Sequence, residues 1–233
     1  MDFKIIGDSD NPIVAIQLKN GEQVKIERGA MVYLQDVSIQ GQTNSKSKGI
    51  GGFVRAAARS MTSGESVFVT YAKGESDQGV IGVAPSIPGK VASLKVGNGK
   101  QYRLNTGAFL ACDESVNYVM KSQNVGKALF AGTGGLFVME TEGEGDILIN
   151  AFGDLMELEV TADKPITIDN EHVVAWDASL DYEIKIASGT FGFTTGEGVV
   201  NEFHGHGKVI IQTRNVHNLA NTIATYIPQS SSN

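Results

Sequence analysis

Arg28-Gly29-Ala30-Met31-Val32-Tyr33-Leu34-Gln35-Asp36-Val37-Ser38-Ile39 is a phrase that returns twice along the chain. The second version reads Thr106-Gly107-Ala108-Phe109-Leu110-Ala111-Cys112-Asp113-Glu114-Ser115-Val116-Asn117-Tyr118. The third reads Asn170-Glu171-His172-Val173-Val174-Ala175-Trp176-Asp177-Ala178-Ser179-Leu180-Asp181-Tyr182. Each has a short apolar strand, an acidic turn near Asp36, Asp113 or Asp177, and a second strand that alternates with period two. A strand group of this size cannot bury its apolar face alone, so recurring groups should pack around a common core. The expectation is an all-β, double-layered β-sandwich forming a single compact domain over 1–233. Its pseudo-repeats span about 23–96, 102–160 and 166–215.

The flanking sequence carries the same punctuation. Residues 3–6, 13–18 and 23–27 read as strands, and Asn20-Gly21 between alternating runs marks a tight hairpin. Further strands are expected over 66–71, 79–83 and 90–96, followed by a turn at Gly97-Asn98-Gly99. Residues 136–140, 146–150, 155–160, 199–203 and 208–213 alternate in the same way, with glycine turns between them. Apolar positions 216, 219, 220, 223 and 226 share one helical face, which predicts a C-terminal helix over 216–226. Pro228 ends it, and the tail over 228–233 is expected to fray.

One stretch breaks the pattern. Residues 41–64 lengthen the first repeat, with a polar loop up to Lys48 and helix-forming residues over 49–60. Lys46, Lys48, Arg55 and Arg59 make it the one locally basic stretch. Read structurally, it is a loop and short helix covering one edge of the sandwich. Read functionally, it is a possible surface contact for an anionic membrane or a partner, although Phe53 and Val54 offer a narrow apolar face for that task.

Composition sets the function classes. The chain has 233 residues, of which 41% are hydrophobic, enough for a sizeable core. It has 28 glycines and 5 prolines, which fits many tight turns. Its formal charge of −7 argues against nucleic acid as a partner, since phosphate neutralisation needs Lys and Arg. The same balance favours a soluble, cytoplasmic protein. The start, Met1-Asp2-Phe3-Lys4-Ile5-Ile6-Gly7-Asp8, has neither the basic n-region nor the apolar core of a signal peptide, and no run reaches the roughly 20 apolar residues of a membrane span. Cys112, the one cysteine, cannot form an internal disulfide and reads as a small buried hydrophobe.

Several side-chain groups have the residue types of a site. Glu202, His204 and His206 would share a face if 202–206 were extended, giving a partial metal site. Gly205 and Gly207 instead make a turn there, which favours solvated histidines. His172 beside Val173 would be a base with Asp177 or Asp181, or simply a hydrogen-bonded sheet residue. Gly132-Thr133-Gly134-Gly135 looks phosphate-friendly but leads into a strand rather than a helix, so it reads as a β-corner. Glu65, Glu144 and Glu197 lie in glycine-rich corners at similar repeat positions. They would gather as acid, base or cation ligands, or accept backbone N–H bonds in tight turns. No residue is assigned as catalytic, and no cofactor is expected.

The last third carries a family resemblance. Val173-Val174-Ala175-Trp176-Asp177, Thr195-Gly196-Glu197-Gly198-Val199 and Gly205-His206-Gly207-Lys208-Val209-Ile210-Ile211-Gln212-Thr213-Arg214-Asn215 resemble the signature of the altered-inheritance-of-mitochondria-type proteins. Gly64-Glu65, Pro88-Gly89 and Gly132 to Phe137 agree, and the ending Gln212-Thr213-Arg214-Asn215 is the most specific part. The resemblance implies a sandwich of jelly-roll or double-stranded β-helix kind, related to the tryptophan RNA-binding attenuation protein, in three similar units. It implies no established activity, and RNA binding does not transfer with a fold. Arg214 would clamp a carboxylate across repeats.

The leading functional expectation is a non-catalytic structural or interaction protein of unknown biochemical activity, self-associating as a homo-oligomer or engaging an unknown protein partner. The alternatives are a cupin-like small-ligand or metal-binding protein and a peripheral membrane-surface binder acting through 46–59.

Overall fold

β-Branched and aromatic residues alternating with polar ones fit a pleated, half-buried surface. The computed structural model, which describes residues 1–7, 10–43, 68–105, 107–122, 137–187 and 198–227, turns such runs into nineteen strands. The first eight are β1 (Asp2–Ile6), β2 (Ile13–Leu18), β3 (Gln23–Ile26), β4 (Met31–Gln35), β5 (Val37–Thr43), β6 (Phe68–Gly74), β7 (Gly79–Val83) and β8 (Val91–Val96). Next come β9 (Tyr102–Leu104), β10 (Phe109–Asp113), β11 (Val116–Ser122), β12 (Phe137–Gly143), β13 (Gly145–Asn150) and β14 (Leu155–Val160). The last are β15 (Ile166–Asp169), β16 (Val173–Asp177), β17 (Asp181–Ile186), β18 (Val199–His204) and β19 (Gly207–Gln212), followed by helix α1 (Val216–Ala224). The protein is thus mostly β, in antiparallel sheets, with one short C-terminal helix among the described residues.

Four sheets result. Two are six-stranded, in the orders β5-β6-β3-β10-β13-β8 and β11-β12-β9-β16-β19-β14. The others are smaller, β1-β2-β7-β4 and β15-β18-β17. The sheets pack face to face in series. Val14 and Ile81 of the first small sheet meet Val24, Ile26 and Leu148 of the first six-stranded sheet. Phe109, Cys112 and Ile147 of that sheet meet Leu104, Met139 and Ile210 of the second. Trp176 and Val209 of the second then meet Ile168 and Phe203 of the last small sheet. The small sheets therefore lie at the two ends of the series.

The pairing is regular in a further respect. β4, β10 and β16 each carry a register shift against their neighbour, between Met31 and Tyr33, Phe109 and Ala111, and Val173 and Ala175. A bulge of this kind bends a strand and strengthens its twist. At the last residue of β10 and of β16, a carboxylate closes a corner. Asp113 Oδ2 accepts from the Asp146 backbone N–H at 2.6 Å, and Asp177 Oδ2 from that of Lys208 at 2.9 Å. Gly145, with φ of 146°, leaves room for this, since a Cβ there would sit 2.7 Å from Asp113 Oδ2.

Two local expectations change. His172 lies in a short 3₁₀ turn, Asn170–His172, rather than a strand. Asp169 Oδ1 accepts from the Glu171 backbone N–H at 2.9 Å and closes that turn before the strand begins. Helix α1 ends at Ala224, short of 226, and buries none of its side chains.

Candidate functional site

An edge strand offers a row of backbone N–H and C=O groups without partners, and proteins usually blunt such edges with charge or a covering element. β4 does neither. It pairs on one side with β7 and ends its sheet on the other. Met31, Val32, Tyr33 and Leu34 are 42%, 52%, 41% and 42% exposed. The strands that share its bulge, β10 and β16, lie in the middle of their sheets, and Phe109 to Cys112 and Val173 to Trp176 are all buried. At the far end of the series, β15 is also an edge, pairing with β18 alone. Helix α1 adds a second apolar face left exposed among the described residues, with Val216, Leu219 and Ile223 about half exposed. No helix of the described residues is long and apolar enough to cross a membrane.

The weighed metal residues do not converge. β18 places His204 Nε2 2.9 Å from Glu202 Oε1 on one strand face. Lys185 shares the same carboxylate, its Nζ donating to Glu202 Oε2 at 2.8 Å. That hydrogen bond holds the Glu202 carboxyl below its ordinary pKa. His206 stands in the turn between β18 and β19 and is exposed. Among the described residues no group of three or more His, Cys, Asp or Glu side chains is placed to hold a metal ion. The described core between the sheets is filled by apolar side chains, which gives the cupin-like reading no ligand set there. Glu144 is exposed beside Gly97, and its backbone carbonyl accepts from Ser115 Oγ at 2.7 Å. Glu65, Glu197, the glycines at 132–135 and the basic residues Lys46, Lys48, Arg55 and Arg59 lie outside the described residues.

The Gln212-Thr213-Arg214-Asn215 ending acts as a knot. Gln212 Nε2 donates to Glu171 O at 2.8 Å while its Oε1 accepts from the Phe152 backbone N–H at 2.9 Å. Thr213 Oγ1 accepts from the Asp154 N–H at 3.0 Å. His172 Nδ1 donates to Gln212 O at 2.7 Å, so Nε2 is left to accept from Asn215 Nδ2 at 3.2 Å. Asn215 in turn caps α1, its Oδ1 accepting from the Asn218 N–H at 2.7 Å. The motif therefore ties the 152–154 loop, the 3₁₀ turn and the helix together, and His172 serves it as a hydrogen-bonding group. Arg214 does not clamp a carboxylate among the described residues. It is exposed, and its backbone N–H donates to Phe152 O.

A cleft of about 340 Å³ opens beside this knot, lined by Glu27, Asn105, Asn150, Asn170 and Gln212 among others. Its amides are largely spent on the main chain. Asn105 Nδ2 donates to Asn170 O and Val173 O, and Asn150 Nδ2 to Gly107 O.

The structure also buries a cation. Lys25 is 2% exposed, and its Nζ donates to Glu114 O, Val116 O and Asn117 Oδ1 at 2.9, 2.7 and 2.8 Å. Burial lowers its pKa. Beside it Cys112 is fully buried, and burial pushes its thiol up to about 12. At neutral pH such a thiol is protonated and unreactive. Nothing in the strand pattern of 23–26 distinguishes a lysine that points inward from one that points to water.

These features define an all-β protein of serially packed antiparallel sheets whose most conspicuous surface is a strand edge that no other described residue covers. The chain belongs to the family described as mitochondrial biogenesis AIM24, whose profile matches residues 3–214. It is 46% identical over 233 residues to the uncharacterized protein M6_Spy0233 of Streptococcus pyogenes serotype M6, covering 99% of this chain and 93% of that one. It also matches the crystal structure of protein SPYM3_0169 from Streptococcus pyogenes, at 43% identity and a TM-score of 0.79, over 97% of this chain and 99% of that one.

Proposed function

We propose that this is a non-catalytic structural or interaction protein that works by associating with itself, in the cytoplasm. The observation that carries the reading is the exposed apolar edge Met31-Val32-Tyr33-Leu34. Apolar surface of this kind on a strand edge is normally an interaction site or a liability. The acidic balance and single buried cysteine support a reducing, soluble setting. We further read the chain as three equivalent units, supported by the three matching bulges and the two matching sheet orders.

Light scattering on the purified chain tests the reading. The expected mass is a multiple of one chain, held across a tenfold dilution. A mass of one chain throughout overturns it.

A further inference from the structure

Each six-stranded sheet is made of two halves from different stretches of chain. In the first, β5-β6-β3 comes from the first unit and is continued by β10-β13 of the second, with β8 at the far edge. In the second, β11-β12-β9 is continued by β16-β19, with β14 at the far edge. The seam falls between β3 and β10 in one sheet and between β9 and β16 in the other. The two small end sheets are what remains. β17-β18-β15 has the order of a first half, and β4-β7-β2 has the order of a second, with β1 added outside.

The seams also agree residue by residue. At one, Lys25 faces Cys112 and Ile26 faces Ala111. At the other, Arg103 faces Trp176 and Leu104 faces Ala175. The residue after each first-half strand adds a main-chain bond, Glu27 N–H to Leu110 O at 2.8 Å and Asn105 N–H to Val174 O at 2.9 Å. Counting back from the bulge, Thr167 takes the place of Lys25 and Arg103, and Leu34 that of Cys112 and Trp176.

We propose that β15 of one copy pairs antiparallel with β4 of the next, Thr167 facing Leu34 and Ile168 facing Tyr33, so that two half-sheets of different copies complete one sheet. The proposal rests on the self-association reading and specifies its surface. The merged sheet runs β17-β18-β15-β4-β7-β2-β1. It covers Met31 to Leu34 as the equivalent strands are covered within the chain, and it satisfies both rows of free backbone groups. The joint is heterologous, one end of the chain against the other, so copies build a closed ring or an open filament rather than a two-fold dimer. One feature of the internal seams is missing. Lys25 Nζ donates across its seam to Glu114 O and Val116 O, and Arg103 Nη1 to Leu180 O at 3.1 Å. Thr167 carries no such cation, so this joint is weaker than the two seams within the chain.

The test uses two full-length variants, each with a glutamate on one exposed edge, Leu34→Glu and Thr167→Glu. A charge on an edge strand opposes further pairing, and an acid at 167 does not restore the cation that holds the internal seams. Native tryptophan emission and a two-state melt verify that each variant is folded. The expected result is that wild type associates, each variant alone has the mass of one chain, and an equimolar mixture gives the mass of two chains through the single intact β15–β4 joint left to the pair. If wild type is itself one chain, self-association and this joint both fail. If wild type associates and both variants do so equally, association uses another surface and only the joint is overturned. Loss in Leu34→Glu with association kept in Thr167→Glu, or a mixture that stays at one chain, likewise overturns the head-to-tail joint.

Discussion

Lys25 and Val116 are 91 residues apart in sequence, and the Lys25 ammonium donates to the Val116 carbonyl oxygen at 2.7 Å from a fully buried position. The same ammonium donates to Glu114 O and Asn117 Oδ1, so a strand of one unit holds the turn of the next. A buried carbonyl left without a donor costs about 1–3 kcal/mol.

Replacing Lys25 with methionine keeps the stem and removes the donors. We expect Lys25→Met to destabilise the protein by about 2–4 kcal/mol, read as a lower midpoint in urea with an unchanged slope. An unchanged midpoint would show that water replaces the ammonium at no cost.

Cys112 dictates behaviour at high pH. Its thiol pKa is about 12 in the fold against an ordinary value of 9.0. Between those values the unfolded chain releases the proton while the folded chain keeps it. The thiol's contribution is therefore fully present below pH 9 and is lost as pH rises toward 12, by up to about 4 kcal/mol. Lys25 acts with the opposite sign, because its lowered pKa makes the fold gain as pH rises toward 10.5. The difference between wild type and Cys112→Ala isolates the thiol. That difference is expected to be constant below pH 9 and to shrink steadily above it. A constant difference to pH 11 would contradict the burial account. The native thiol should also be inert to a neutral disulfide reagent until the chain is unfolded.

Asn215 joins the helix to the sheets. It is 4% exposed, caps α1 through Asn218 and meets His172 Nε2. Losing an asparagine cap costs about 1 kcal/mol, and here the helix has no buried face to compensate. Asn215→Ala should release α1 while leaving the sheets intact. Hydrogen exchange would show protection lost over 216–224 and kept over Val209 and Ile210. Loss of protection in both would mean that the helix cap also supports the last sheet.

Strands were legible in the sequence because alternation is a local signal. Ile13–Leu18 and Gly79–Val83 have the bounds their patterns predict, and the all-β class follows from such runs. His172 departs from the strand expectation for a comparably local reason. Its valine neighbours point to a strand, but Asp169 accepts from the Glu171 N–H and turns the chain first. The family ending at 212–215 was visible as a motif, whereas its work as a knot depends on Phe152, Asp154 and His172, which no local pattern connects to it.

Sequence by itself determined the strand content, the acidic balance and the family, since each depends on residue type and spacing along the chain. Which strands become neighbours was decided only in three dimensions. Met31-Val32-Tyr33-Leu34 and Val173-Val174-Ala175-Trp176 are equally apolar, yet the first lies on an open edge and the second is buried between β9 and β19. Burial belongs to the strand that comes to lie alongside, and for β4 no part of the described chain supplies one.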